Sequence, residues 1–448
     1  MTKTYDVVVV GGGPGGIAAA ASAARNGATT CLIERYGFLG GMATAGLVNP
    51  WMPTGSTLAA EIVAGVYQEV RDALRRREQA RGQEEIHGGR TFDEEDLKVI
   101  LDEMMRSSGV DVWFHTHFID AKTARRRIRT IRVVNKSGEL TIEGKVFIDA
   151  SGDGDLSLRA GAEVQFGRTS DGRVQPMTLC FRMGGVDINR IPPRDEVHRR
   201  FTEARATREW INPRDNILCF PSVHPGVIHF NTTRVLGDPV DARRLSAAEM
   251  EGRAQVQEMV AFLRENIPGY EKAYLDHTAP QIGVRESRRV IGDYVLTVED
   301  VLGAQKFKDG ICRGAYAVDI HSPTGAGTDL RQLEPGTSYE IPYRCLVPNG
   351  VMNLLVASRC ISATHEAHSS LRVMPIVMGI GQAAGTAAAM CARENKTPRR
   401  LSARELRKTL KEQGADLDRE KGLKETGVRR RNKKKQRGLT TKTPRHQG

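Results

Sequence analysis

The stretch "YDVVVVGGGPGGIAAAASAARNGATTCLIE", Tyr5 to Glu34, constrains the fold more than any other part of the chain. Four consecutive valines suit a strand covered on both faces, as in a parallel sheet. An alanine-rich helical run follows and ends at Gly27, and a second apolar run closes on Glu34. Between strand and helix, Gly11, Gly13 and Gly16 form G-x-G-x-x-G, with Pro14 and Gly15 completing the turn. Glycines there let the backbone approach a pyrophosphate at the helix N-terminus, and a carboxylate at Glu34 can accept hydrogen bonds from a ribose. The expected fold class is α/β, a doubly wound Rossmann-like domain. Glu34 suits NAD and FAD alike and disfavours a 2′-phosphate.

Two helical patterns come next, "AAEIVAGVYQEVRDALRRREQA" and "FDEEDLKVILDEMMRSSG", the second closing at Gly109. From Val110 to Ala150 the pattern alternates, which predicts a small β-meander with its hairpin turn at Lys136-Ser137-Gly138. The expected organisation is a dinucleotide-binding domain over 1–165 and 345–398, interrupted by an inserted α+β substrate domain over 166–344. A C-terminal helix over 399–418 and a basic disordered tail over 419–448 complete it.

Charge decides which partners are worth considering. The chain of 448 residues carries a net +12, and residues 399–448 hold 18 Lys or Arg against 6 Asp or Glu, so the rest is neutral overall. Weak, non-specific nucleic-acid contact is therefore an expectation for the tail alone. The seven cysteines include no C-x-x-C pair, which argues for reduced thiols and against an iron–sulfur or zinc-thiolate centre. The N-terminus passes straight into a strand, and the apolar run from Pro375 carries Gln382 and many small residues, so a cytoplasmic protein without a membrane span is expected.

Three later segments favour FAD over NAD alone. "GFLGGMATAG" is a glycine-rich loop just after Arg35, where Gly40, Gly41, Met42 and Ala43 can expose amides to an extended flavin nucleotide. "VFIDASGDGDLS" ends a strand at Asp149 and continues in the turn Gly152-Asp153. A return segment then supplies Arg359 and an apolar helix with Gly379 and Gln382. With "GVRESRRVIGDY", "DIH", "IPYRCLVP" and "SRCISATHEAH", these segments occur in order along most of the chain, which resembles the FAD-dependent oxidoreductase family. More distantly it is similar to fumarate reductase flavoproteins, thiazole-forming enzymes and the flavin subunit of heterodisulfide reductases. The resemblance implies FAD and hydride transfer to or from a small molecule. Ala357-Ser358-Arg359 stands where relatives usually have Ala-Gly-Arg. The "GFLGGMATAG" loop has no histidine, so a non-covalent flavin is expected.

Candidate reacting groups come from four places. Arg285 opens a cluster with Glu286, Arg288 and Arg289; the resemblance favours a site role for Arg285 and a structural one for Glu286. His321 follows Asp319 at strand spacing, a pair suited to an oriented general base. Arg372, just before the helix started by Pro375, can bind an anionic substrate or stabilise flavin charge together with the helix N-terminus. His365 and His368 lack the spacing of a zinc motif and are substrate-pocket candidates in a polar loop, with no metal expected. The alternative to a metabolic flavoenzyme is a flavoprotein that binds or acts on RNA through its basic tail.

Overall fold

The computed structural model describes residues 2–54, 61–82 and 89–417. Strand β1 (Thr2–Val10) leads through the glycine turn into helix α1 (Pro14–Arg25) and strand β2 (Thr30–Ile33). Helices α2 (Val66–Ala80) and α3 (Glu94–Ser108) follow, then strands β3 (Asp111–Trp113), β4 (His117–Ala124), β5 (Arg127–Asn135) and β6 (Gly138–Asp149). The sheet runs in the order β3-β2-β1-β6-β5-β4. Val7–Val10 pair in parallel with β2 on one side and β6 on the other, so the valines are covered on both faces as their run predicts. The meander is antiparallel and turns at the predicted hairpin.

Helix α2 starts later than its pattern suggests. Residues 61–64 are not helical: Gly65 sits at φ 68°, and the first helical N–H, of Val66, donates to Oε1 of Gln382 at 3.1 Å.

The middle of the chain holds helix α4 (Asp155–Arg159), strands β7 (Val164–Phe166) and β8 (Phe181–Gly184), helix α5 (Arg194–Thr207), strands β9 (Cys219–Pro221) and β10 (Ile228–Phe230), helix α6 (Ala242–Asn266) and strand β11 (Tyr274–Thr278). An antiparallel sheet, β11-β8-β10-β9, carries a second core in which Phe181 and Phe230 stack at 4.8 Å. That core takes its buried side chains from Met177 to Val284, together with Leu47. The separately cored unit is thus narrower than 166–344, because residues from Val290 to Val347 join the first core instead.

Those residues form strand β12 (Arg288–Val290), helix α7 (Val298–Leu302) and strands β13 (Gly310–Gly314), β14 (Val318–His321), β15 (Thr328–Arg331) and β16 (Tyr339–Pro342). Strand β17 (Leu354–Val356) then pairs in parallel with the C-terminal end of β6, beyond the reach of the meander. Helices α8 (His365–Leu371), α9 (Met374–Glu394) and α10 (Ala403–Glu412) close the described chain. Helix α9 is long and apolar enough to cross a membrane but is buried within the fold. It lies against α1 so closely that a Cβ at Gly381 would sit 2.2 Å from the Gly15 carbonyl oxygen.

Candidate active site

The ends of β1, β6 and β17 converge with the N-termini of α1 and α9 on one open cleft of about 350 Å³, within the size range of small-molecule sites. Its walls bring together Gly11, Gly13, Pro14 and Gly15 of the glycine turn, Glu34 and Arg35 after β2, and Gly41 and Met42 of the second glycine loop. Gly152, Asp153, Arg359 and Arg372 complete the far side. Helix α1 has no side-chain cap and no acidic residue in its first turn, so its free amides meet the cleft unopposed. A Cβ on Gly13 would meet nothing nearer than 3.9 Å, whereas one on Gly15 would fall 1.6 Å from the Ala357 carbonyl oxygen. Gly13 therefore offers its backbone to a ligand, while Gly15 lets strand end and helix touch.

Glu34 is buried and accepts from the Gly12 and Tyr36 amides at 2.6 and 2.9 Å. Burial raises its proton affinity against the pull of those amides. On the far wall Asp153 accepts from Arg359 and from Ser287 Oγ, both at 2.6 Å.

Other expected cofactor residues stand behind the wall. Asp149 is fully buried and accepts from the amides and hydroxyls of Ser151 and Ser157, fixing the turn that presents Gly152 and Asp153. The Gly40 amide donates to the Gly12 carbonyl at 2.9 Å, and Ala43 packs in the core behind that loop. Gly16 allows the turn itself, since its Cβ would lie 1.8 Å from the Gly11 oxygen. Gly379 and Gln382 lie away from the cleft. Gly379 makes room for Cys312, and Gln382 spends its amide on Val66 and on the Gln413 carbonyl.

Beyond Arg372 lies a second polar cluster. Asp319 accepts from Tyr316 at 3.0 Å and faces His321 Nε2 at 3.6 Å and Arg372 at 3.8 Å. Burial disfavours the Asp319 carboxylate, but His321 and Arg372 outweigh it and hold its proton affinity well below the usual range. Nδ1 of His321 lies 3.3 Å from an Nη of Arg234, which can only donate, so Nδ1 accepts and Nε2 carries the proton. Burial, then the field of Arg285, push the imidazole down to about 3, so it is neutral at ordinary pH. The lone pair is engaged by Arg234, and burial together with the field of Arg285 outweighs the pull of Asp319.

Arg285 donates to the Pro176 carbonyl at 2.7 Å, to Thr178 Oγ1 and to Asn231 Oδ1 at 3.1 Å. Burial and the nearby positive charges of Arg372 and Arg214 lower its proton affinity to about 9. The "polar loop" with His365 and His368 is helix α8, capped by Thr364. Neither histidine reaches the cleft wall. His365 Nδ1 meets the fully buried Glu286 at 2.9 Å, and Glu286 also pairs with Arg289 and accepts from the Gln175 amide at 3.0 Å. His368 is buried, and burial together with Arg289 keeps it neutral.

A model of the family described as FAD dependent oxidoreductase matches residues 6–410. The chain belongs to the FAD-dependent oxidoreductase family. Among solved structures, this flavoprotein is similar to a geranylgeranyl bacteriochlorophyll reductase-like protein from Thermoplasma acidophilum at 15% identity and a TM-score of 0.46, over 92% of this chain and 84% of that one. It is also similar to the flavin-dependent brominase Bmp2 at 13% and 0.47, over 92% and 83%, and to L-proline dehydrogenase from P. horikoshii at 11% and 0.45, over 89% and 95%. At these similarities nothing about their chemistry carries over. No curated protein matches the sequence.

Several residues of this FAD-dependent oxidoreductase escape a sequence reading. His117, Ser358 and Gln281 lie on the cleft wall, and Arg214, Arg234 and Asn231 surround the His321 cluster. His117 opens strand β4, and an alternating strand pattern of this kind reads as structural from sequence alone. The arginines of the inserted unit carried no local signal. Among the described residues no group of three or more His, Cys, Asp or Glu is arranged to hold a metal.

Proposed function

We propose that the protein moves hydride between a small-molecule substrate and dissociable FAD, with the substrate beside Arg372, Asp319 and His321. The observation that carries this reading is that Arg372 belongs to both sites: it lines the cleft and approaches Asp319. The cleft suits FAD on its own features. The uncapped N-terminus of α1 would hold the pyrophosphate, Glu34 the adenosine ribose, and the Asp153–Arg359 pair the far side of the cofactor. When bound, FAD supplies the two-electron acceptor or donor.

The chain's own residues supply position and proton handling. In the oxidative direction the substrate loses a hydride from carbon and a proton from its neighbouring heteroatom. Nδ1 of His321 receives that proton once the substrate replaces the long contact from Arg234. Arg372 adds a positive charge at the junction. Anaerobic stopped-flow reduction of the bound flavin by a substrate panel tests this. His321→Ala is expected to retain FAD and slow reduction roughly 100-fold or more; unchanged reduction would remove the assignment. Acid precipitation should leave the yellow colour in the supernatant. The RNA-binding expectation falls on residues 419–448, which lie outside the described residues.

A further inference from the structure

Arg214, Arg234 and Arg285 converge on the His321 cluster from the inserted unit. Among the described residues, every hydrogen-bond partner of these three guanidinium groups is neutral. Arg214 donates to Asn216 Oδ1 at 2.7 Å and to the Asn231 carbonyl at 2.9 Å. Arg234 donates to the carbonyls of Gly325 and Gly327 and to His321. Arg285 uses Pro176, Thr178 and Asn231. Asp319, the carboxylate in contact with His321, is also engaged by Tyr316 and Arg372. Asp215 and Asp319 act on Arg214 and Arg234 through their fields, whereas the charges acting on Arg285 are chiefly the cations Arg372, Arg214 and Arg234. A cation held among other cations away from water is costly, and the cost is relieved when an anion arrives.

Resting on the functional reading above, we propose that the substrate is an organic anion whose carboxylate is held by Arg285, on the inserted-unit side of the His321 cluster beyond Arg372. Donor arithmetic selects Arg285 among the three. Its Nη1 is used twice and its Nη2 once, which leaves Nε–H and one Nη2–H, on the two nitrogens that form the fork matching a carboxylate. Arg234 is committed to the glycine-rich loop and to His321. Asn231 ties the pocket together, since its carbonyl accepts from Arg214 and its side-chain oxygen from Arg285. The excess charge is not part of the cofactor wall: Arg372 lines the cleft, while Arg214, Arg234 and Arg285 do not.

The test uses the full-length FAD-loaded protein, with acetate, propionate and succinate as probes and the corresponding amides as neutral controls. Binding is read from perturbation of the flavin spectrum and from the rise in Tm. At least one carboxylate is expected to bind saturably and its amide not. Arg285→Gln should weaken that binding roughly tenfold or more, with partial recovery in Arg285→Lys. Asn231→Asp, which keeps the shape but places a negative charge on Arg285, should weaken it also and serves if Arg285→Gln does not fold. Equal binding of acids and amides would overturn the proposal. So would unchanged binding in both Arg285→Gln and Asn231→Asp, or an effect that chloride reproduces at equal ionic strength. Arg285-dependent carboxylate binding without flavin reduction by any substrate would leave the anion site standing and refute the functional reading. Reduction by neutral compounds alone, with no carboxylate binding, would do the reverse.

Discussion

Arg234 holds His321 and the glycine-rich loop after it with one guanidinium group: one nitrogen faces Nδ1 of His321 at 3.3 Å, and the other donates to the Gly325 and Gly327 carbonyls at 2.6 and 2.7 Å. The imidazole tautomer and the position of the loop therefore depend on the same side chain.

Arg234→Met keeps the apolar stem and removes these donors. The expected loss of stability is about 1–3 kcal/mol, read from the denaturant midpoint. Proteolysis within residues 322–327 should also become faster. A variant with unchanged midpoint and unchanged proteolysis would show that the clamp is not made in solution.

Glu34→Gln tests the adenosine end of the cleft. The carboxylate accepts from two backbone amides, and an amide side chain would turn an N–H toward one of them. FAD affinity is expected to fall by about 1–2 kcal/mol, roughly 5- to 30-fold, in a flavin fluorescence titration. Full affinity in the variant would exclude Glu34 as a ribose contact.

The beginning of this architecture is legible in the sequence because its signals are local. Consecutive valines, a glycine turn and an acid at the next strand end are read over thirty residues, and Glu34, Gly13 and Asp153 all reach the cleft. The inserted unit is less legible. Strands β13 and β16 are short, and the packing of β13 against α9, with β16 paired to β13, assigns them to the first core. Gln382 illustrates the same limit, since a lone amide in an apolar helix looks like a ligand contact until its partner, the Val66 amide, is known. Arg214 and Arg234 matter through convergence in space, which no spacing in the chain records.

A buried ion cluster joins α3 to the second sheet: Glu94 pairs with Arg182 and lies 3.6 Å from His277. Burial opposes the Glu94 charge, but His277 and Arg182 prevail and pull it from 4.5 to about 2. Its stabilisation is complete above the unfolded value of 4.5 and disappears as pH falls through about 2. His277 is raised above 6.5, chiefly by Glu94, so its share is complete below 6.5 and lost as pH rises through the folded value. Thermal stability should therefore carry a contribution from this cluster that is greatest between 4.5 and 6.5. Glu94→Gln is expected to cost about 3–5 kcal/mol and to flatten the acid limb. An unaltered acid limb would contradict the assignment.

His321 gives a kinetic prediction. Its folded value lies below 6.5, so its neutral form adds stability above the unfolded value, and that stability is lost as pH falls toward about 3. The free enzyme's kcat/KM profile should accordingly lack a His321 ionisation between about pH 5 and 8. In the complex, an anion that offsets the fields of Arg285 and Arg372 should move the ionisation upward in the kcat profile. A limb in kcat/KM near the unperturbed histidine value that vanishes in His321→Asn would refute this.

The central claim is that FAD occupies the cleft between the glycine turn and Arg372, with its reactive end toward Asp319 and His321. A crystal structure of the FAD-loaded protein tests it most directly. The account predicts the pyrophosphate at the N-terminus of α1, the adenosine ribose at Glu34 and the flavin ring at the Arg372 end. A flavin ring directed away from Asp319 and His321, or FAD bound outside this cleft, would contradict it.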